Sequence, residues 1–138
     1  MIKQNPPLAL TDSLIMLGTN EYPIYLVKGG AEGAIFEGGV GALGPVLERQ
    51  LAELEIAPDY VKQIFVTHAH PDHVMAVPAM KKMFPDATVC ASKPAAQVMH
   101  FDKAIKFFCQ ADGMITMALQ KVGSVGPDDK PEPLEEMK

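Results

Sequence analysis

Three of the chain's four histidines fall in a single stretch, FVTHAHPDHVMAV, which runs from Phe65 to Val77. His68, His70, Asp72 and His73 are the residues there that can do chemistry. His68 and His70 are two positions apart. In an extended segment leaving a strand, such side chains point the same way, so both imidazoles can reach one ion. His73 comes where the chain has curved back, and Asp72 sets an anionic oxygen beside it. Imidazoles and a carboxylate without thiolate suit zinc, iron or manganese in a hydrolytic or oxygen-handling centre. A structural zinc would draw on cysteine, and neither Cys90 nor Cys109 is near in sequence. The competing reading is a surface loop whose histidines coincide by chance.

Such a cluster needs rigid elements to hold it. Ile64–Thr67 (IFVT) is a short apolar strand, expected to be buried on both faces, and it delivers the chain straight into the motif. Upstream, residues 13–17, 23–28 and 34–37 read as strands of an antiparallel meander, with a hairpin across the Gly29–Gly33 turn. Pro45 suits the first turn of a helix, and Val46, Leu47, Leu51 and Leu54 recur at helical spacing. Pro78 opens a helix running to about Phe84, and Thr88–Ala91 is a further strand. Residues 93 to about 120 show a helical pattern, with a break left open at Gly113 or Phe107–Phe108. The remainder, GSVGPDDKPEPLEEMK, is rich in glycine, proline and acid and reads as a linker or loose end. The expected division is a domain over 1–122 and a tail over 123–138. The order of elements gives an α/β (α+β-like) class: a mixed sheet with helices on one face.

Bulk properties narrow the function. The chain has 138 residues, 48% of them hydrophobic and 21% charged, which suits one globular domain rather than disorder. Its net charge of −5, with Lys81–Lys82 as the only adjacent basic pair, argues against nucleic acid and against an anionic membrane surface. No CxxC occurs among the two cysteines, so a reducing, cytoplasmic setting is expected. MIKQNPPLAL carries no signal-peptide pattern, and no run reaches the length of a membrane span.

The string THAHPDH resembles the His-x-His-x-Asp-His signature of the metallo-β-lactamase superfamily. The order around it agrees: a meander, the Glu37-Gly38-Gly39 turn, a helix, the strand IFVT, the motif, then a helix ending at FPDATVCAS. The likeness runs from about Leu10 to Ser92. The EGG turn and VPAMKKMFPDATVCAS are similar to the branch that includes flavodiiron-like and quinolone-response thioesterase-like proteins. The resemblance implies an αβ/βα sandwich with two metals at one edge, zinc first, with iron or manganese as alternatives. His68 and His70 would bind one metal, and Asp72 and His73 the other. A metal-activated hydroxide would attack an ester, thioester, amide or phosphoester of a small-molecule substrate, with Asp72 also orienting the water as a catalytic residue.

The sequence departs from the family pattern in two places. Where relatives carry small residues after the motif, it has Val74-Met75-Ala76; Met75 would either repack locally or wall a substrate pocket. The family's later ligands come from a second half of the chain, and only His100 remains here, in a helical pattern that fits an ordinary helix residue. The resemblance therefore implies the N-terminal half of such a sandwich, with one sheet face open to a second copy in a homo-oligomer or to a C-terminal half. Glu37 reads equally as a turn residue or as a partner behind the ligands. Met75, Met80, Met83, Met99, Met114 and Met117 read as core or dimer contacts. Two rivals stand beside the hydrolase: a catalytically silent metal-binding or dimerising fragment, and an iron-dependent oxidoreductase relative. The second is disfavoured because His70 stands where flavodiiron sites usually carry glutamate.

Overall fold

The computed structural model describes residues 5–131. Six strands form one sheet in chain order: β1 (Leu8–Ala9), β2 (Leu14–Gly18), β3 (Pro23–Lys28), β4 (Gly33–Phe36), β5 (Val61–Phe65) and β6 (Thr88–Cys90). The first four pair antiparallel, joined by short connections of four residues each. β4, β5 and β6 pair parallel, because helices intervene. Helix α1 (Leu43–Glu53) joins β4 to β5, and α2 (Pro71–Val74) with α3 (Val77–Met83) joins β5 to β6. Beyond β6 come α4 (Lys93–Val98) and α5 (Asp102–Lys121).

Period-two alternation sets the core. Ile15, Leu17, Ile24, Leu26, Ile35 and Ile64 belong to one buried cluster with Leu43, Leu47 and Leu51 of α1 and Met80 of α3. Fully burying each such side chain contributes about 1.5–3 kcal/mol. Leu47, with no solvent exposure, is a position where truncation to alanine would cost about 2–5 kcal/mol.

The opposite face is open. Met16, Tyr25, Phe36, Phe65 and Cys90 stand in register across β2 to β6. Phe36 and Phe65 stack there with ring centroids 4.6 Å apart, and Phe36 stays 38% exposed. The strand before the motif is thus buried on one face only. Its bounds also sit earlier than IFVT suggests, since Lys62 and Gln63 join the strand through backbone atoms regardless of side-chain polarity.

Two further differences concern helices. Val74-Met75-Ala76 divides the helix after the motif, so α2 is a single turn and α3 begins at Val77. The expected break in the last helical region falls at Met99–Phe101. Gly113 lies within α5, where a side chain would meet only open space, so nothing there forces a break. The segment after α5 is docked as far as Pro131, where the sequence suggests a linker or loose end. Val125 is buried in the main core, and Asp129 accepts two hydrogen bonds from Arg49 of α1, at 2.8 and 2.9 Å. Residues 132–138 of the expected tail lie outside the described residues.

Candidate metal centre

β4 and β5 are parallel neighbours, so their C-terminal ends lie side by side; Phe36 pairs with Phe65 and the Glu37 N–H continues the ladder to the Phe65 carbonyl at 3.0 Å. Crevices at such strand ends are where open α/β sheets bind ligands. β5 runs through Val66 and Thr67 into His68. His70 keeps an extended backbone and Pro71 opens α2, which turns Asp72 and His73 back over the strand end. His68 and His73 come to 4.0 Å between ring centroids, His68 and His70 to 4.7 Å, and His70 and His73 to 6.5 Å. All three histidines and Asp72 are therefore gathered at one edge.

The groups behind these side chains orient them. The Thr67 hydroxyl donates to Glu37 Oε2 at 3.1 Å and lies 3.1 Å from His68 Nδ1. Its one proton is spent on Glu37, so it accepts from Nδ1–H, which leaves Nε2 of His68 bare. Glu37 Oε2 also stands 2.8 Å from the buried Nδ1 of His73, at ion-pair distance though off the line of a good hydrogen bond. Nε2 of His73 then faces Asp72 Oδ2 at 3.3 Å. Glu37 holds its place by accepting the Gly38 and Gly39 N–H groups, at 2.9 and 3.3 Å, on its other oxygen.

This donor set fits a metal. Carboxylate or hydroxyl partners on the far ring nitrogen fix the tautomer and raise the basicity of the ligating one. The 3.3 Å between His73 Nε2 and Asp72 Oδ2 is the separation expected of two donors each about 2.1 Å from one ion. Among the described residues no three histidine, cysteine or carboxylate side chains already enclose a position for an ion. One loop presents its ligands from one side only.

Gly38 explains how β4 comes so close to α2. A Cβ there would collide with the His73 carbonyl. Met75 is buried with Val66, Val74, Val77, Met99 and Phe108, so it packs into the interior. His100 is exposed just beyond α4 and is not among the histidines whose rings meet. The methionines divide: Met75, Met80 and Met99 are buried, Met83 packs against the core, and Met114 and Met117 are exposed. Thr67 escaped sequence reasoning; a hydroxyl residue between a strand and the first histidine is the only signal it offers. A cavity of about 710 Å³ lies between β2, α1 and residues 122–126, and none of the four candidate ligands lines it. No helix among the described residues is long and apolar enough to cross a membrane.

The family model described as the metallo-beta-lactamase superfamily matches residues 18–137. Among solved structures, a Cronobacter sakazakii metallo-beta-lactamase with a HARLDQ motif is similar at TM-score 0.63 and 23% identity, covering 67% of this chain and 35% of that one. MEM-A1, a subclass B3 metallo-beta-lactamase from a soil metagenome library, gives TM-score 0.63 and 24% identity over 70% of this chain and 36% of its own. MIM-1 from Novosphingobium pentaromativorans gives 0.63 and 23% over 68% and 34%. The chain thus spans about a third of the length of these structures, and the likeness shows the fold, as the half-sandwich expectation required. No curated protein matches.

Proposed function

Since the chain belongs to the metallo-beta-lactamase superfamily, we propose that it is the metal-binding part of a metal-dependent hydrolase acting on an ester, thioester, amide or phosphoester. The observation that carries this is the gathering of His68, His70, Asp72 and His73 at the ends of β4 and β5, with Thr67 and Glu37 behind two of the rings. His68 and His70 would hold one metal, Asp72 and His73 a second, with zinc the first choice for such a nitrogen and oxygen set. A bound divalent metal lowers the pKa of water towards neutrality and polarises the scissile oxygen.

The chain's own residues do the rest. Thr67 holds the His68 tautomer that leaves Nε2 available. Glu37 sets its carboxylate beside Nδ1 of His73. Asp72, partly exposed at the edge, is placed to accept a proton from water and orient it. Zinc-dependent hydrolysis of an activated ester or thioester tests the reading: Asp72→Ala should abolish turnover while zinc stays bound through His68 and His70. Unchanged activity in that variant would sink the mechanism.

A second reading is a metal-binding fragment that dimerises without turnover. The open row Met16, Tyr25, Phe36, Phe65 and Cys90 favours it. Zinc binding without hydrolysis of any of the four substrate classes would select it.

A further inference from the structure

Helix α5 buries an acid. Asp112 is 1% exposed and lies on the inward face of the helix with Phe108, Thr116 and Leu119. One oxygen accepts the Gly41 N–H at 2.7 Å. The other has no hydrogen-bond partner among the described residues, and the Thr116 hydroxyl one turn on has none either. Burial pushes the carboxyl pKa up to about 6, against the opposing pull of the Gly41 bond. A buried carboxylate without a cation is a poor stabiliser at neutral pH; an apolar side chain of similar volume would serve folding better. What Asp112 supplies is a directed acceptor.

That acceptor fixes the segment which grips the metal loop. Glu37 opens this segment and Gly41 lies near its end. Between them, the Gly39 and Gly38 carbonyls accept the Met75 and Ala76 N–H groups, at 3.0 and 2.9 Å, and so close the end of α2. Gly41 has no room for a side chain, because a Cβ would fall on the Asp112 carboxylate and on Pro131. α5 also meets α2 directly, with Phe108 entering the cluster that contains Val74 and Met75. The motif loop is therefore held twice from α5: by Phe108 against α2, and by Asp112 through the glycine segment.

We propose that Asp112 is a positioning residue for the metal loop, fixing the Gly38–Gly41 segment and through it the placing of Glu37 and His73. It touches neither metal nor substrate. The inference rests on the metal-site reading, and the test separates the two. Amide hydrogen exchange of the metal-free chain and Zn²⁺ affinity by chelator competition are measured for wild type, Asp112→Ala, Asp112→Leu and Asp112→Asn. Leucine fills the volume and removes the acceptor, which keeps the test open if the alanine variant does not fold. Asparagine keeps an oxygen for the Gly41 N–H.

In the alanine and leucine variants the Met75 and Ala76 amides should exchange at least about tenfold faster while those of β2 and β3 are unchanged. Zn²⁺ should bind about tenfold more weakly, at the low end of what losing an outer-shell partner does. Asparagine should restore both. Unchanged Met75 and Ala76 exchange with wild-type affinity overturns the role of Asp112 and leaves the metal site standing, as does acceleration spread evenly over all amides. Zn²⁺ binding by wild type that ignores His68→Ala/His70→Ala overturns the metal-site reading, and the positioning role with it.

Discussion

Oε2 of Glu37 and Nδ1 of His73 lie 2.8 Å apart, although one residue follows β4 and the other sits in a helix beyond the next strand. Glu37 reaches this place from a left-handed backbone, φ 94°, which a non-glycine residue adopts at a cost of about 1–3 kcal/mol. Strain kept at such a position, with the carboxylate beside a histidine, fits a residue of the proposed site.

Glu37→Gln should therefore weaken Zn²⁺ binding by roughly 10–100-fold, because the amide can still cap Gly38 but no longer polarises His73. Glu37→Gly should lose as much affinity while keeping the thermal stability of wild type, since it relieves the strain. Chelator competition and thermal unfolding read both. Wild-type affinity in the glutamine variant would reduce Glu37 to a turn residue.

Stability should depend on pH through Asp112 in an unusual sense. Its pKa is raised by burial to about 6 in the folded chain from 3.8. Between those values the folded state holds more protons than the unfolded one, so stability falls as pH rises through the window. Asp112→Asn should remove that fall. The variant should exceed wild type by up to about 3 kcal/mol above pH 6, from the shift in pKa, and match it near pH 4 and below. Denaturant unfolding across pH 4–8 measures the difference, and a constant gap would contradict the assignment.

Asp129 should act in the opposite sense. The Arg49 guanidinium hydrogen-bonded to it holds its carboxyl below the usual range. The stability it contributes is present above the ordinary carboxylate pKa and is lost as pH falls through the lower folded value. Arg49 is largely exposed, its side chain 62% accessible, so Asp129→Ala should cost only about 1 kcal/mol at pH 7. It should also free the segment around Val125, which limited proteolysis would detect. Resistance equal to wild type would show that the ion pair does not hold it.

The open sheet face should make the chain self-associate. Aromatic and sulfur side chains in register, with Phe36 at the centre, leave an apolar surface that water does not favour. Phe36→Lys should shift light scattering towards the monomer without altering Zn²⁺ binding. A clean monomer for wild type at high concentration would contradict the expectation.

Much of this was legible in the sequence, and the exceptions have physical reasons. β3 is readable to the residue because PIYLVK is rich in β-branched and aromatic side chains. β1 is only two residues long and held by its neighbour, too short for a pattern. The motif could be placed because its strand is apolar and because Pro78 marks a helix start beyond it; the single turn opened by Pro71 was too short to show a pattern. Asp112 was invisible: an acid in a helical pattern reads as a solvated face, and only the fold brings Gly41 against it. The docking of residues 123–131 was hidden likewise, since Asp129 finds Arg49 across 80 positions of sequence.

Zinc content of the purified chain, measured beside His68→Ala/His70→Ala, tests the central claim most directly. The account predicts that wild type retains zinc after dialysis against metal-free buffer and that the double variant, still folded, retains far less. Equal zinc in the two proteins would contradict it.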